Sequence, residues 1–160
     1  MEKKFGVFNT VEELNKAAAD KKDAGDLELL IELAEENGLD RMDAEDYFDG
    51  TVECLCTPLM AAIGKLDMEG KDLNLKGMME GWKDYIVGML SDSPQLSVAV
   101  FNPDKKLLDV LAIGLKAASD ARIKVDMRII NKAGLPESAA YMGDIGRDEW
   151  RNIVNKYYLG

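Results

Sequence analysis

Acidic residues are concentrated between Asp26 and Asp49, and their carboxylates are the first groups in this sequence that point to a particular chemistry. This stretch of a 160-residue chain holds ten acidic residues and one base, so its net charge is −9, against −10 for the whole sequence. Carboxylates can form a catalytic acid–base pair, bind calcium or attract a basic partner. Each use requires a different arrangement of the acids along the chain.

Catalysis by a carboxylate pair requires one desolvated acid and one ionised partner at a fixed separation. Here the acids are crowded onto helix faces that the pattern predicts to be exposed, where solvent would keep them all ionised. The sequence also contains no histidine, which is the commonest general base and a frequent zinc ligand. We therefore expect a protein that is not an enzyme and needs no cofactor, and a carboxylate-dependent enzyme is the least favoured alternative.

Metal binding is not favoured by the remaining ligand types. If Gly50 were the glycine of a calcium-binding loop, the first, third and last ligand positions would be Glu45, Tyr47 and Cys56, whereas such a loop requires an aspartate, a side-chain oxygen and a bidentate glutamate there. Cys54 and Cys56 have no further cluster of ligands around them, and a structural zinc site requires four. We interpret the two cysteines as small apolar residues that remain thiols, and expect no metal.

Attraction of a basic partner fits the predicted elements best. Asp26 is expected to cap a helix whose apolar face is formed by Leu27, Leu30, Ile31 and Ala34. Asp40 is expected to cap a further short helix that ends at Gly50 and turns Met42, Tyr47 and Phe48 inward. The acids then lie on outward faces. The predicted partner-binding residues are Glu28, Glu32, Glu35, Glu36, Asp40, Asp43, Glu45, Asp46 and Asp49.

Three interpretations of this acidic face remain open at the level of the sequence. It can be a solvated helix face, a docking surface for a basic protein, or an imitation of the nucleic-acid backbone. In the last two cases the carboxylates would gain steered association with Lys and Arg groups, as phosphates do.

The remainder of the chain predicts a mainly α fold, a compact multi-helix bundle with a small acidic N-terminal helical subdomain. Residues 1–50 are predicted to form an acidic three-helix region and residues 51–160 a helical main domain, because their net charges are −9 and −1. Helix starts are predicted at Thr10, at Thr57-Pro58, at Asn102-Pro103 and at Asp126, and a short helical turn is predicted from Pro136 to Tyr141. The clearest helical face in the sequence comprises Leu107, Leu108, Leu111, Ala112, Leu115 and Ala118.

For some segments the sequence gives a less definite prediction. The segment from Gln95 to Phe101 fits a short helix or a buried strand equally well. The bases Arg122, Lys124 and Arg128 could touch phosphates, but an isoelectric point near 4.5 argues against direct DNA binding.

The sequence has no apolar run of the length needed to cross a bilayer. We expect a cytoplasmic protein of a bacterial host that does not contact a membrane.

The region from Met78 onward resembles the PcfK-like small proteins of bacterial mobile elements. The likeness lies in the helix with Trp82 and Tyr85, in Ser91-Asp92-Ser93 and in the run Asn102-Pro103-Asp104-Lys105-Lys106, followed by the apolar helix from Leu107 and the pair Tyr157-Tyr158. It covers about half of the chain. Family members often carry a histidine before the tyrosine pair, where Lys156 stands here, and a cysteine in the apolar helix. One branch of that group consists of Cas9 inhibitors, so the resemblance implies an anti-CRISPR protein of gut Firmicutes or their phages.

Together these observations predict a small acidic inhibitor that binds a CRISPR effector, with or without its guide RNA. It would block nucleic-acid binding or cleavage through the acidic helices. An accessory protein of conjugation or replication, acting by protein contact through the apolar helices of residues 75–120, is the main alternative.

Overall fold

The computed structural model describes residues 2–160, which form nine α-helices and one two-stranded ribbon. The helices are α1 (Val11–Asp23), α2 (Leu27–Glu36), α3 (Arg41–Asp49), α4 (Pro58–Asp72), α5 (Met78–Leu90), α6 (Pro94–Phe101), α7 (Leu107–Asp120), α8 (Met127–Lys132) and α9 (Arg147–Leu159). The strands are β1 (Ile123–Lys124) and β2 (Tyr141–Met142), and a 3-10 turn spans Glu137–Ala139. The prediction of a mainly α fold is confirmed. None of the helices in this part of the chain combines the length and apolar character of a membrane span.

The first three helices begin where the sequence predicts, because each has a polar residue that accepts from a free backbone N–H. Thr10 Oγ1 accepts from Glu13 N at 3.1 Å, and Asp26 Oδ1 accepts from Leu29 N at 3.0 Å. Asp40 N in turn donates to the Asp43 carboxylate at 2.9 Å. Local sequence therefore determines where these helices begin.

The apolar faces of α1, α2 and α3 form one hydrophobic cluster, and this cluster continues past residue 50. It includes Leu55, Cys56 and Ala61, together with Phe101 at the end of α6. The first three helices are thus packed on α4 and α6. The division into an acidic region of residues 1–50 and a main domain of residues 51–160 stays a prediction.

Two glycines fix how the turn between α2 and α3 sits on α4. Gly38 ends α2 with a φ of +75°, and a Cβ built there would lie 2.4 Å from the carbonyl oxygen of Gly64. A Cβ on Gly64 would lie 2.8 Å from the carbonyl oxygens of Asn37 and Gly38. The two backbones approach so closely that no side chain fits between them, and this contact positions the acidic helices.

The second hydrophobic cluster is built from α4, α5, α6, α7 and α9. At its centre Trp82 stacks on Trp150 with ring centroids 4.7 Å apart, and Trp150 Nε1 donates to the Trp82 carbonyl at 3.2 Å. A Cβ on Gly114 would lie 2.5 Å from the Trp150 ring. Gly114 is therefore the position on α7 that leaves room for the tryptophan pair.

The buried face of α7 differs from the predicted one. Leu107, Leu111 and Ala118 are buried as expected, but Leu108 and Leu115 are 58% and 52% exposed and Ala112 is exposed as well. Val110 and Gly114 are buried instead, because the tryptophan pair packs against that side of the helix. The leucines of α7 are spaced so that either of two overlapping helix faces could be buried. Contact with the tryptophan pair determines which face is buried.

The predicted start of α7 at Asn102-Pro103 is wrong, and tertiary contacts explain why. Asn102 Oδ1 accepts from Asp104 N and closes a local turn. The first N–H groups of the true helix are met by side chains of other helices: Lys106 N donates to Tyr157 Oη at 2.7 Å and Leu107 N to Glu69 Oε2 at 3.3 Å. The helix therefore begins at Leu107, where those acceptors lie.

The undecided segment from Gln95 to Phe101 is helical, within α6. The ribbon formed by β1 and β2 was not anticipated, because two strands of two residues each are too short for an alternating pattern. The predicted helix after Asp126 and the turn after Pro136 lie between these strands as α8 and the 3-10 turn.

Candidate functional site

Glu28 and Glu35 lie on the side of α2 that faces the start of α3. A hydrogen bond from Arg41 Nε to Glu45 Oε1 at 2.8 Å and the charge of Glu45 raise the pKa of the exposed Arg41 guanidinium. The charges of Glu28 and Glu35 make smaller contributions in the same direction. Carboxylates of two different helices thus share one surface around a single base.

Glu32 and Glu36 are instead engaged by the segment that precedes α1. The Lys4 ammonium forms an ion pair with Glu32, and the backbone N–H groups of Lys4 and Phe5 donate to Glu36. The predicted row of four glutamates is therefore divided. Glu28 and Glu35 remain together, while Glu32 and Glu36 fasten the leading segment to α2.

The acids of α3 have three different surroundings. Asp40 and Asp43 belong to the cap of the helix. Asp49 closes the end of it by accepting from the Thr51 hydroxyl at 2.5 Å and the Thr51 N–H at 2.9 Å, and these bonds lower the pKa of Asp49. Asp46 is half-buried, and its carboxylate makes no hydrogen bond or ion pair within residues 2–160.

The arrangement defines an acidic α2–α3 surface, by which we mean Glu28, Glu35, Arg41, Glu45 and Met42. Glu28 and Glu35 make no ion pair with any residue from 2 to 160. Met42, which the sequence predicted to be buried, is 68% exposed, because Ala44 and Tyr47 occupy the inward side of α3. An exposed methionine beside carboxylates supplies the apolar contact that charges alone lack. Helical spacing contained this signal, because Ala44, Tyr47 and Phe48 follow the i, i+3, i+4 rule and Met42 lies on the opposite side of the helix.

A second group of interacting ionisable side chains lies where α4, α7 and α9 meet. Lys65 Nζ donates to the carbonyl oxygens of Val100, Asn102 and Lys105 at 2.5–2.7 Å. Burial lowers the pKa of Lys65 to about 8, while the nearby Glu69 opposes that shift. All three protons of the charged ammonium are used by the chain, so this lysine holds the loop between α6 and α7 and is not available to a substrate.

The tyrosine pair contributes to the same group. Tyr157 Oη accepts from Lys106 N and donates to Asp109 at 3.0 Å, and it is the half-buried member of the pair. The apolar spacing predicts a last helix over about 147–158 that buries Trp150, Ile153, Val154 and Tyr157. Tyr157 packs against the core but is only half-buried, and Tyr158, with 4% exposure, is the more deeply buried of the two tyrosines.

The other ligand-like residues lie apart from these groups. Among the residues described, no three His, Cys, Asp or Glu side chains are grouped as a metal site would require. Cys54 is exposed and Cys56 is buried, and both are free thiols. No protein-family model, curated protein or solved structure matches the chain.

Proposed function

We propose that the protein is an inhibitor that binds a basic nucleic-acid-binding protein, specifically a CRISPR effector such as Cas9, through the acidic α2–α3 surface. The observation that carries the proposal is the folded display of carboxylates: a charge of −9 between residues 26 and 49 on two capped helices whose apolar sides are buried. A disordered acidic tail would lose more conformational entropy on binding. This surface is already ordered, so a smaller entropy cost of ordering offsets the attraction to the partner.

The positions of the acids favour docking on a basic patch over imitation of a single nucleic-acid strand. Glu32 and Glu36 are engaged by residues 4 and 5, and this interrupts the row along α2. Glu28 and Glu35 remain available to a partner, and they lie two helical turns, roughly 10 Å, apart along the axis. Together with Glu45 of α3 they form a broad patch instead of a line of evenly spaced charges.

In the proposed mechanism the acidic α2–α3 surface occupies Lys and Arg groups that otherwise hold DNA or guide RNA. Binding releases the counterions of those groups and is steered by the opposite charges. The effector would then be excluded from its target without any chemical step. Met42, the exposed neighbour of Arg41 in the sequence, adds an apolar contact.

The salt dependence of binding to purified Cas9, with and without guide RNA, tests the proposal. Raising the salt concentration from about 0.1 M to about 1 M shortens the screening length from about 10 Å to about 3 Å. We expect the affinity to fall at least about tenfold over this range. No measurable binding to any effector of a panel would contradict the proposal.

A matched pair of variants locates the contact. The double variant Glu28→Gln/Glu35→Gln removes two charges from the acidic α2–α3 surface, and we expect it to weaken binding and flatten the salt dependence. The control Asp92→Asn/Glu149→Gln removes two charges from exposed positions on other helices and loops. Equal effects of the two variants would assign the salt dependence to net charge alone.

A second candidate function is favoured by the exposed apolar residues of α7. Leu108 and Leu115 are more than half exposed and lie within the helices of residues 75–120. An accessory protein of conjugation or replication could bind its partner through them. In that case Leu108→Gln/Leu115→Gln would abolish partner binding, and the affinity would scarcely change with salt.

A further inference from the structure

A stripe of leucines and small residues runs along the exposed side of α7. This α7 stripe consists of Leu108, Ala112, Leu115 and Ser119, all of which are exposed, and both leucines are more than half exposed. Spacings of four, three and four residues align these side chains along one side of the helix, as in the seam of a coiled coil. The stripe therefore has the form of a surface that packs against a second helix.

The α7 stripe is complementary to itself when two copies run antiparallel. With a two-fold axis at the middle of the helix, Leu108 of one copy lies opposite Ser119 of the other. Leu115 then lies opposite Ala112. Each leucine is received between small side chains, which is the knobs-into-holes arrangement of a coiled coil. Because both copies use the same residues, the contact closes on itself and ends at a dimer.

The charged residues of α7 favour the same antiparallel arrangement. Asp109 and Lys116 each follow a leucine of the α7 stripe directly, so they lie on the same flank of it. Asp109 of each copy then faces Lys116 of the other, and two pairs of opposite charge flank the contact. A parallel arrangement would instead place like charges opposite each other. Residues 106–120 hold two bases and two acids and so carry no net charge, and Lys106 falls level with Asp120 of the other copy.

Both of these flanking charges can reach a second copy. Asp109 accepts from Tyr157 Oη through Oδ2, and its Oδ1 has no hydrogen bond within residues 2–160. The Lys116 ammonium donates to Asp120 at 2.7 Å, but the two side chains are 75% and 63% exposed. An exposed ion pair at this spacing contributes little to stability, so it does not hold Lys116 back from a stronger contact.

We propose that two copies of this chain associate through antiparallel α7 helices to form a weak dimer. α7 has 14 residues and is therefore about 21 Å long. One pair of helices of this length buries a few hundred Å² per copy, which is less than the roughly 800 Å² of a stable complex. We therefore expect a dissociation constant of roughly 0.1 to 1 mM. At about 0.15 M salt, repulsion between the two acidic chains is screened beyond about 8 Å.

The inference does not rest on the proposed function, because α7 is not part of the acidic α2–α3 surface. It assigns the exposed leucines to a second copy and not to the partner of the second candidate function.

Analytical ultracentrifugation of the native chain from about 10 µM to about 2 mM is the first test. We expect the mass to rise from that of the 17.7 kDa chain toward twice that value, and Leu108→Gln/Leu115→Gln to remain monomeric. A native chain that is monomeric over the whole range would overturn the inference. A dimer that persists in the leucine variant would overturn it as well, and so would growth beyond a dimer.

Exchanged charges supply a test that misfolding cannot imitate. Asp109→Lys and Lys116→Asp each place like charges opposite each other, so each variant alone should dimerise at least about tenfold more weakly. An equimolar mixture should recover the dimer, and so should Asp109→Lys/Lys116→Asp, because opposite charges then face each other again. The control Asp92→Lys makes the same change of net charge at an exposed position outside α7 and should not weaken the dimer. Failure of the mixture and the double variant to recover the dimer, or an equal loss in the control, would contradict the antiparallel contact.

Discussion

Cys54 and Cys56 are two residues apart in the segment between α3 and α4, and their surroundings differ completely. Cys54 is exposed, whereas Cys56 is 1% exposed and its N–H donates to Asn15 Oδ1 at 3.1 Å. Burial, with a smaller contribution from Cys54, raises the pKa of the Cys56 thiol to about 12. Because the thiolate is the reactive species, Cys56 is a structural residue at neutral pH.

We predict that a thiol reagent at neutral pH labels one cysteine per native chain, at Cys54, and both cysteines after unfolding. Mass spectrometry of the labelled protein identifies the site. Rapid labelling of Cys56 in the native protein would show that the segment between α3 and α4 opens readily.

The same thiol makes stability depend on pH in the alkaline range. The usual pKa of 9.0 applies to the unfolded chain, so above pH 9 the unfolded chain loses a proton that the folded chain retains. The contribution of Cys56 to the free energy of unfolding is present below pH 9 and is lost as the pH rises toward 12. Urea unfolding at pH 8 and pH 10 should therefore show a larger loss for the native sequence than for Cys56→Ala. An equal loss in both proteins would contradict this origin.

The adjacent tyrosines of α9 offer a second comparison between single residues. Tyr157→Phe removes the hydrogen bonds to Lys106 and Asp109, and we expect it to lower the free energy of unfolding by about 1–2 kcal/mol. The buried Tyr158 hydroxyl has no hydrogen-bond partner among residues 2–160. Tyr158→Phe should therefore be neutral or stabilising by up to about 1 kcal/mol. Urea denaturation of both variants checks the difference, and the reverse order would contradict these bonding assignments.

At the scale of elements, the contact between Gly38 and Gly64 is what orients the acidic helices on α4. Gly64→Ala would force the turn after α2 away from α4, and we expect a loss of about 1–3 kcal/mol, reduced slightly by the better helix propensity of alanine. The control Gly81→Ala has no atom within 4 Å of the added Cβ and should stabilise α5 by up to about 1 kcal/mol. Thermal unfolding measures both changes. A neutral Gly64→Ala would show that the two backbones separate easily.

Elements whose ends depend on neighbouring residues were predicted well from the sequence. The caps at Thr10, Asp26 and Thr57 each satisfy an N–H three residues later, so the necessary information is local. The start of α7 could not be predicted in this way, because its first N–H groups are met by Glu69 and Tyr157, which are distant in sequence.

The candidate site shows the same division between local and distant information. Spacing predicted correctly that Glu28 and Glu35 are exposed. It did not reveal that residues 4 and 5 engage Glu32 and Glu36, since that contact joins segments about 30 residues apart. The exposure of Met42 was open to prediction, because Ala44, Tyr47 and Phe48 share the inward face of α3 and Met42 lies opposite them.

On the scale of the whole molecule, charge is distributed very unevenly. The acidic helices account for nearly all of the net charge, and their mutual repulsion opposes the folded state. We therefore predict that the midpoint of thermal unfolding rises as sodium chloride screens this repulsion, from low salt to about 0.5 M. A midpoint that falls with added salt would mean that the ion pairs, such as Lys4–Glu32, outweigh the repulsion.

The proposed function requires that the acidic α2–α3 surface inhibits an effector. The most direct measurement is the cleavage of target DNA by a panel of Cas9 proteins in the presence of the native chain and of Glu28→Gln/Glu35→Gln, with Asp92→Asn/Glu149→Gln as the matched control. We predict that the native chain and the control inhibit at least one effector, and that the surface variant requires about a tenfold higher concentration for the same inhibition. Unchanged inhibition by the surface variant would contradict the acidic mechanism, and no inhibition by the native chain would contradict the proposed function itself.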